Sequence, residues 1–198
     1  MGIIEILMNT LREHLKLKRK NLSSKESHDM SHAISQKVIR SKWICQHTNV
    51  GIYYPVNGEV NTLQLIKFMW SINQQVFLPI INKKYLLFSK LNPDSKLKKN
   101  RFGIPEPSIT GEDQVFANDL DMAFVPLVAF DLNGFRIGMG SGYYDRTFEK
   151  KLKTKDTKSP VLIGLAYEFQ KQECLNHQPW DVPLDMVVTE LNTYKFRQ

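Results

Sequence analysis

The stretch Met122–Phe130 reads Met-Ala-Phe-Val-Pro-Leu-Val-Ala-Phe, with no polar residue at alternate positions. A strand of that kind must be covered on both faces, which is the habit of a central parallel strand in a sheet flanked by helices. It is followed closely by Gly134-Phe-Arg-Ile-Gly-Met-Gly-Ser-Gly-Tyr-Tyr-Asp-Arg146. Glycines alternate at 138, 140 and 142, and a helix is expected over Tyr143–Lys153. Glycine lets backbone N–H groups approach an anion closely, and a following helix adds the positive end of its dipole. The same segment carries a guanidinium (Arg136), two phenols (Tyr143, Tyr144) and a carboxylate (Asp145). That combination suits a nucleotide phosphate with its metal.

The rest of the chain alternates strand and helix patterns. Residues 3–20 place Ile4, Leu7, Leu11 and Leu15 on one helical stripe and Arg12, Lys16 and Arg19 on another. The basic stripe reads either as a solvated face or as a cationic wall over a phosphate site. Ser23-Ser-Lys-Glu26 is a capping box, so a second helix starts there and runs to about Ser41. Val50–Tyr54 is a short strand ending in the turn Pro55–Glu59, and Thr62–Ile72 is helical. Val76–Ile81, Tyr85–Ser89, Val161–Ala166 and Met186–Thr189 are further strands, and residues 90–120 are rich in loops. The expectation is a single α/β/α domain over 1–198, three-layered with a mainly parallel sheet, whose first helix lies beside a nucleotide site. Ligands of such sheets bind beyond the carboxyl ends of the strands, where loops 55–59 and 134–142 fall.

At 198 residues the chain is long enough to bury a sizeable core. No apolar run approaches the roughly 20 residues of a membrane span, and Met1–Thr10 lacks the basic start of a secretory signal. Cys45 and Cys174 are far apart and without metal-type spacing, as expected of reduced thiols in a cytoplasmic protein. The net charge of +7 is spread along the chain rather than clustered, which argues for an anionic small molecule and against nucleic acid.

Several familiar sites are excluded. The glycine spacing does not match G-x-G-x-x-G, no P-loop lysine follows, and Ser141 lacks the flanking pattern of a nucleophile elbow. The five histidines form no ligand pattern, and no nucleophilic triad is legible. Asp145 reads equally as a helix-dipole partner or a Mg²⁺ ligand. Asp181 and Asp185 lie four apart, and Asp185, just before Met186-Val-Val, is a candidate to face the same cleft.

The segments Val125–Asp131 and Asn133–Arg146 resemble the 5-formyltetrahydrofolate cyclo-ligase family, also called methenyltetrahydrofolate synthetase. Leu11-Arg12 with Lys16 and Arg19, Tyr54 to Glu59, Phe102–Pro107 and Trp180–Asp185 support the resemblance over most of the chain. It implies an ATP- and Mg²⁺-dependent ring closure of a reduced folate, with release of ADP and phosphate. Carried over by position, Arg12 and Arg136, Ile137, Gly138, Met139, Gly140, Ser141, Gly142, Tyr143 and Tyr144 would meet ATP. Tyr54, Glu59 and Met139–Tyr143 would meet the folate, Glu59 reading its pterin. Arg136 and Tyr143 would be catalytic, and Asp145 and Asp185 would hold the metal. The chain departs from the family at Met8, where a lysine is usual: either another cation, with Lys16 the candidate, substitutes, or the register of the first helix differs. A monomer acting on small molecules, without nucleic acid or membrane, is implied. The rival readings are a phosphosugar isomerase or binder that needs no ATP, and a module binding RNA through residues 3–20.

Overall fold

The computed structural model describes residues 3–108, 114–153 and 160–196, with side chains from residue 5 onward. Helix α1 (Ile3–Lys20) leads into α2 (Ser24–Arg40), then strand β1 (Asn49–Gly51), α3 (Leu63–Ser71), β2 (Gln75–Asn82) and β3 (Tyr85–Lys90). The expected loop region holds short strands β4 (Leu97–Lys99), β5 (Pro105–Pro107) and β6 (Gln114–Val115). Next come β7 (Met122–Val125), β8 (Ala129–Phe130), β9 (Arg136–Ile137), α4 (Tyr143–Phe148), α5 (Lys150–Lys153), β10 (Val161–Leu165), β11 (Met186–Val188) and β12 (Thr193–Lys195).

The main sheet has the order β12-β11-β10-β7-β1-β2-β3-β6. Its centre, β11-β10-β7-β1-β2, is parallel, and antiparallel strands close both edges. The period of two divides its side chains between two cores. Met122 and Phe124 of β7, with Val76, Leu78, Ile163 and Met186, face α2 and α3. Ala123 and Val125, with Phe77, Leu162 and Val187, face Phe148 of α4 and Phe130 of β8. The layered, mainly parallel architecture expected from the sequence is therefore present. The capping box forms as well, with Glu26 N–H donating to Ser23 Oγ and Ser23 N–H to Glu26 Oε2.

Four expectations need correcting. The apolar run 122–130 is not one strand: β7 stops before Pro126, and β8 leaves the sheet to pair with β9 as a separate hairpin. Proline has no N–H to continue a ladder, so the chain turns there. The helix expected over Tyr143–Lys153 breaks after Phe148, leaving α4 only six residues long, so its dipole is a minor source of positive potential. Arg19 is not on a solvated face but 3% exposed, because α1 packs across the hairpin. The apolar stripe of α1 is buried only at its end: Leu15 is covered and Leu11 half-covered, while Leu7 is exposed. The side chain of Ile4 lies outside the described residues.

The hairpin lies over the sheet on the α4 side. There Gly164 of β10 faces Leu127 and Leu184, and a Cβ on Gly164 would come within 2.6 Å of Leu127 Cδ2 and 2.8 Å of Leu184 Cδ1. Gly164→Ala is expected to destabilise the fold by about 1–3 kcal/mol, the usual cost of overpacking, read as a lower urea midpoint with an unchanged m-value.

Candidate functional site

Loop 138–142 emerges from the end of β9, not directly from the central strand. Gly140 and Gly142 have φ values of +96° and +63°, left-handed conformations that favour glycine. Space near the loop is open: a Cβ on Gly138 would meet nothing within 4 Å, and one on Gly140 only Arg12 Cζ at 3.9 Å. Arg12 reaches across from α1 and donates through Nε to Gly138 O at 2.8 Å. Asn9 Oδ1 accepts from its Nη1. One guanidinium is thus fixed at the edge of the glycine loop. Ser141 and Met139 are exposed, whereas Ile137 is buried against α1.

Arg146 holds the far side of the loop, donating to Ser141 O at 2.8 Å and to Lys84 O at 2.7 Å in the β2–β3 turn. Tyr143 is covered by segment 100–104: Arg101 donates to its hydroxyl, and Phe102 meets its ring edge-on at 6.4 Å. Phe102 and Arg146 carry no signal in the sequence beyond their place in the family-like segments, and Arg101 lies just before one of them. Their roles depend on which loop folds over which.

Arg136 does not point freely toward the loop. Its side chain is 4% exposed, with Nη2 donating to Asp145 Oδ1 at 2.7 Å and Nη1 to Val182 O. Asp145 Oδ1 also accepts from Val182 N–H at 3.2 Å. Asp145 Oδ2 has no hydrogen-bond partner among the described residues. Asp185 has other partners: its Oδ2 accepts from Leu162 N–H at 2.7 Å and from Lys151 Nζ at 3.0 Å. It is Asp181 that shares the electrostatics of Asp145. Burial raises its carboxyl above the ordinary value and the charge of Asp145 adds to the rise, against the Gln178 N–H and Arg136. Among the described residues, no three His, Cys, Asp or Glu side chains form a metal-holding group.

The second loop meets the first. Glu59 accepts from Val56 N–H at 3.1 Å and returns its own N–H to Val56 O, closing the turn. Burial pushes its carboxyl up to about 7, while the Val56 N–H and Arg19 oppose the shift. Tyr144 lies close enough that Glu59 adds to the upward push on its phenol, which burial dominates and Arg136 resists. Tyr53, beneath them, is buried and donates to Val60 O at 3.1 Å. Tyr54 is half-buried, at the wall of an apolar cavity of about 210 Å³ shared with Leu63 and Trp70. The charge of Glu59 thus reaches the first turn of α4, the helix into which loop 138–142 leads.

Near the start of α1, Met8 packs with Leu11 against Leu15, Val128 and Ile137, and Lys16 pairs with Glu13 at 2.9 Å on the surface. Cys45 and Cys174 are free and exposed. Among the described residues, no helix is long and apolar enough to cross a membrane.

The chain is 38% identical to the 5-formyltetrahydrofolate cyclo-ligase of Haemophilus influenzae over 177 residues, covering 88% of this chain and 92% of that one. It is 30% identical to the Escherichia coli K12 protein of the same name, covering 92% and 100%. The solved 5,10-methenyltetrahydrofolate synthetase of Aquifex aeolicus superposes with a TM-score of 0.82 at 32% identity, covering 97% of this chain and 94% of that one. With residues 7–190 matching the family as a whole, the chain belongs to the 5-formyltetrahydrofolate cyclo-ligase family.

Proposed function

We propose that this chain converts 5-formyltetrahydrofolate to 5,10-methenyltetrahydrofolate, with ATP as co-substrate and ADP and phosphate as the other products. The names of its relatives state the two ends of that reaction. The observations that carry the reading lie in two loops. One is an open glycine stretch edged by Arg12; the other is the Val56–Glu59 turn, whose carboxylate acts on Tyr144. The first suits a polyphosphate and the second a flat heterocycle with N–H donors.

A formyl oxygen is a poor leaving group, so ring closure needs it activated. In this reading the oxygen takes the γ-phosphoryl group of ATP, N10 attacks the activated carbon, and the oxygen departs as phosphate. Phosphoryl transfer of this kind depends on positioning and charge stabilisation rather than on a protein nucleophile. The backbone of 138–142 and Arg12 would position the phosphates. Ile137 anchors the loop, Met139 and Ser141 would border both ligands, and Tyr143 and Tyr144, at the start of α4, would meet ATP, with Tyr143 also beside the folate. Glu59 would accept from the pterin N–H groups, with Tyr54 beside it. Arg136 acts from behind, fixing Asp145 and the Val182 carbonyl.

Mg²⁺ is held in such sites by one or two carboxylates together with phosphate oxygens. Asp145 fits, because Oδ2 is uncommitted and Arg136 steadies the other oxygen. Its charge contact with Asp181 favours that residue as companion over Asp185, which is tied to Lys151. The ion would supply neutralisation of phosphate charge. We infer a cytoplasmic monomer acting on small molecules. The phosphosugar alternative has no support in the family match.

The experiment is absorbance at the methenyl chromophore with 5-formyltetrahydrofolate, ATP and Mg²⁺. Absorbance should rise only when ATP is present, and a rise without ATP would overturn the reading. Arg12→Ala should raise the KM for ATP about tenfold to a hundredfold, from the loss of about 1.5–3 kcal/mol of charged hydrogen bonding, read from initial rates across ATP concentrations. Arg136→Ala should slow turnover on the order of a hundredfold, the cost of misplacing groups that position the reactants. It should also lower stability, since one partner of a largely buried pair is left uncompensated, as seen in kcat and in the thermal midpoint. Asp145→Asn and Asp181→Asn should each raise the Mg²⁺ concentration for half-maximal rate, with Asp185→Asn changing it less.

A further inference from the structure

Asn-Gly occurs twice in the chain, at Asn57-Gly58 and at Asn133-Gly134. Glycine carries no side chain to shield the asparagine before it, so its backbone nitrogen can reach the side-chain amide carbon. The structure sets the two pairs in opposite surroundings. Asn57 and Gly58 are both exposed, with φ values of +53° and +73°. Those are the signs of a type I′ turn, closed here by Glu59 N–H donating to Val56 O at 3.0 Å. The Gly58 N–H and the Asn57 side chain have no hydrogen-bond partner among the described residues.

Asn133 is exposed too, but Gly134 is buried. The Gly134 N–H donates to Asp131 O at 3.3 Å, and its carbonyl accepts from Leu184 N–H at 2.8 Å. Asn133 N–H donates to Asp131 Oδ1 at 2.9 Å. The nitrogen that would attack Asn133 is therefore committed, and freeing it requires the hairpin to open locally. Position 58, in turn, has to be glycine. A Cβ there would lie 3.3 Å from Arg19 O, at a φ that side chains rarely adopt. The fold thus demands glycine at 58 while leaving its nitrogen uncommitted, directly before Glu59.

We propose that Asn57 is a site of spontaneous deamidation, set apart from Asn133 by the uncommitted Gly58 nitrogen, and that its product disables the folate side of the site. The first half stands on the turn alone; the second rests on reading Glu59 as the group that accepts from the pterin. The Gly58 nitrogen gives up its proton and attacks Asn57 Cγ. That N–C bond forms, the bond from Cγ to the amide nitrogen breaks, and ammonia leaves. Water then opens the five-membered imide at either carbonyl, giving aspartate or isoaspartate at position 57. Both products place a negative charge close to Glu59 in the chain, where a like charge disfavours its ionised form. Isoaspartate also adds a methylene to the main chain inside the turn, which breaks the closure between Val56 and Glu59.

The test incubates the intact protein in mildly alkaline buffer. The first readout needs no substrate: each Asn-Gly peptide is followed by digestion and mass spectrometry, which separates amide, aspartate and isoaspartate forms. Conversion at Asn57 should outpace that at Asn133 by about tenfold or more, because the second waits on local opening. In urea the two rates should draw together. No conversion at Asn57, or equal conversion at both sites in the native protein, overturns the proposal whatever the protein's activity. The second readout is the KM for 5-formyltetrahydrofolate, which should rise in wild type as product accumulates. Asn57→Gly, which suits the same positive φ and has no amide to lose, should keep its own starting KM through the same incubation. An unchanged KM in deamidated wild type, or a parallel rise in Asn57→Gly, overturns the effect on the folate. Wild type that deamidates at Asn57 but does not turn over 5-formyltetrahydrofolate even before incubation would sink the functional reading while leaving the modification site standing.

Discussion

The site depends on how the central strand leaves the sheet. At Pro126 the chain abandons the ladder while still buried, so the carbonyls of Leu127 and Val128 need donors from elsewhere. Gln170, 1% exposed, donates to both, and Arg19 donates to Leu127. Each comes from an element remote in sequence. The price of that exit is two buried polar side chains, and its result is a hairpin free to carry the glycine loop beyond the sheet.

The hairpin is fixed at its other end by Asp131, which is fully buried. Its carboxyl oxygens accept from Asn133, Phe135 and Leu175 N–H, which satisfies a buried polar group through backbone donors. Leu184 N–H then bonds Gly134 O, and Arg136 bonds Val182 O. Segment 175–185 is thereby laced to the hairpin, and this brings Asp181 toward Asp145. The same lacing commits Arg136 to a supporting position and leaves Arg12 and Arg146 as the guanidiniums at the two sides of the loop.

Much of the fold was legible because local signals agreed with one another. The capping box at Ser23, the apolar stripes of the helices and the near-continuous apolar strands all point to layers of helix over a parallel sheet, and that is what forms. The failures cluster where a residue's neighbours are far away in sequence. Arg12, Lys16 and Arg19 share a helical stripe, yet one touches the glycine loop, one pairs with Glu13 on the surface, and one is buried. Spacing along a helix gives the direction of a side chain but not what packs against it. The same limit applies to Asp181 and Asp185. They lie four residues apart in an irregular segment, and only backbone pairing to β10 sends Asp185 to Leu162 and Lys151.

Read alone, the sequence determined the class of the fold, the position of the glycine loop and the likeness to a family, because each is written in local composition and order. The tertiary structure decided which charges are free and which are spent. Arg136 is committed to Asp145, Arg19 is enclosed with two idle donors, and Glu59 is lifted toward neutrality by burial. Charge and protonation depend on desolvation and on partners brought together across the chain, and those exist only once the layers have packed.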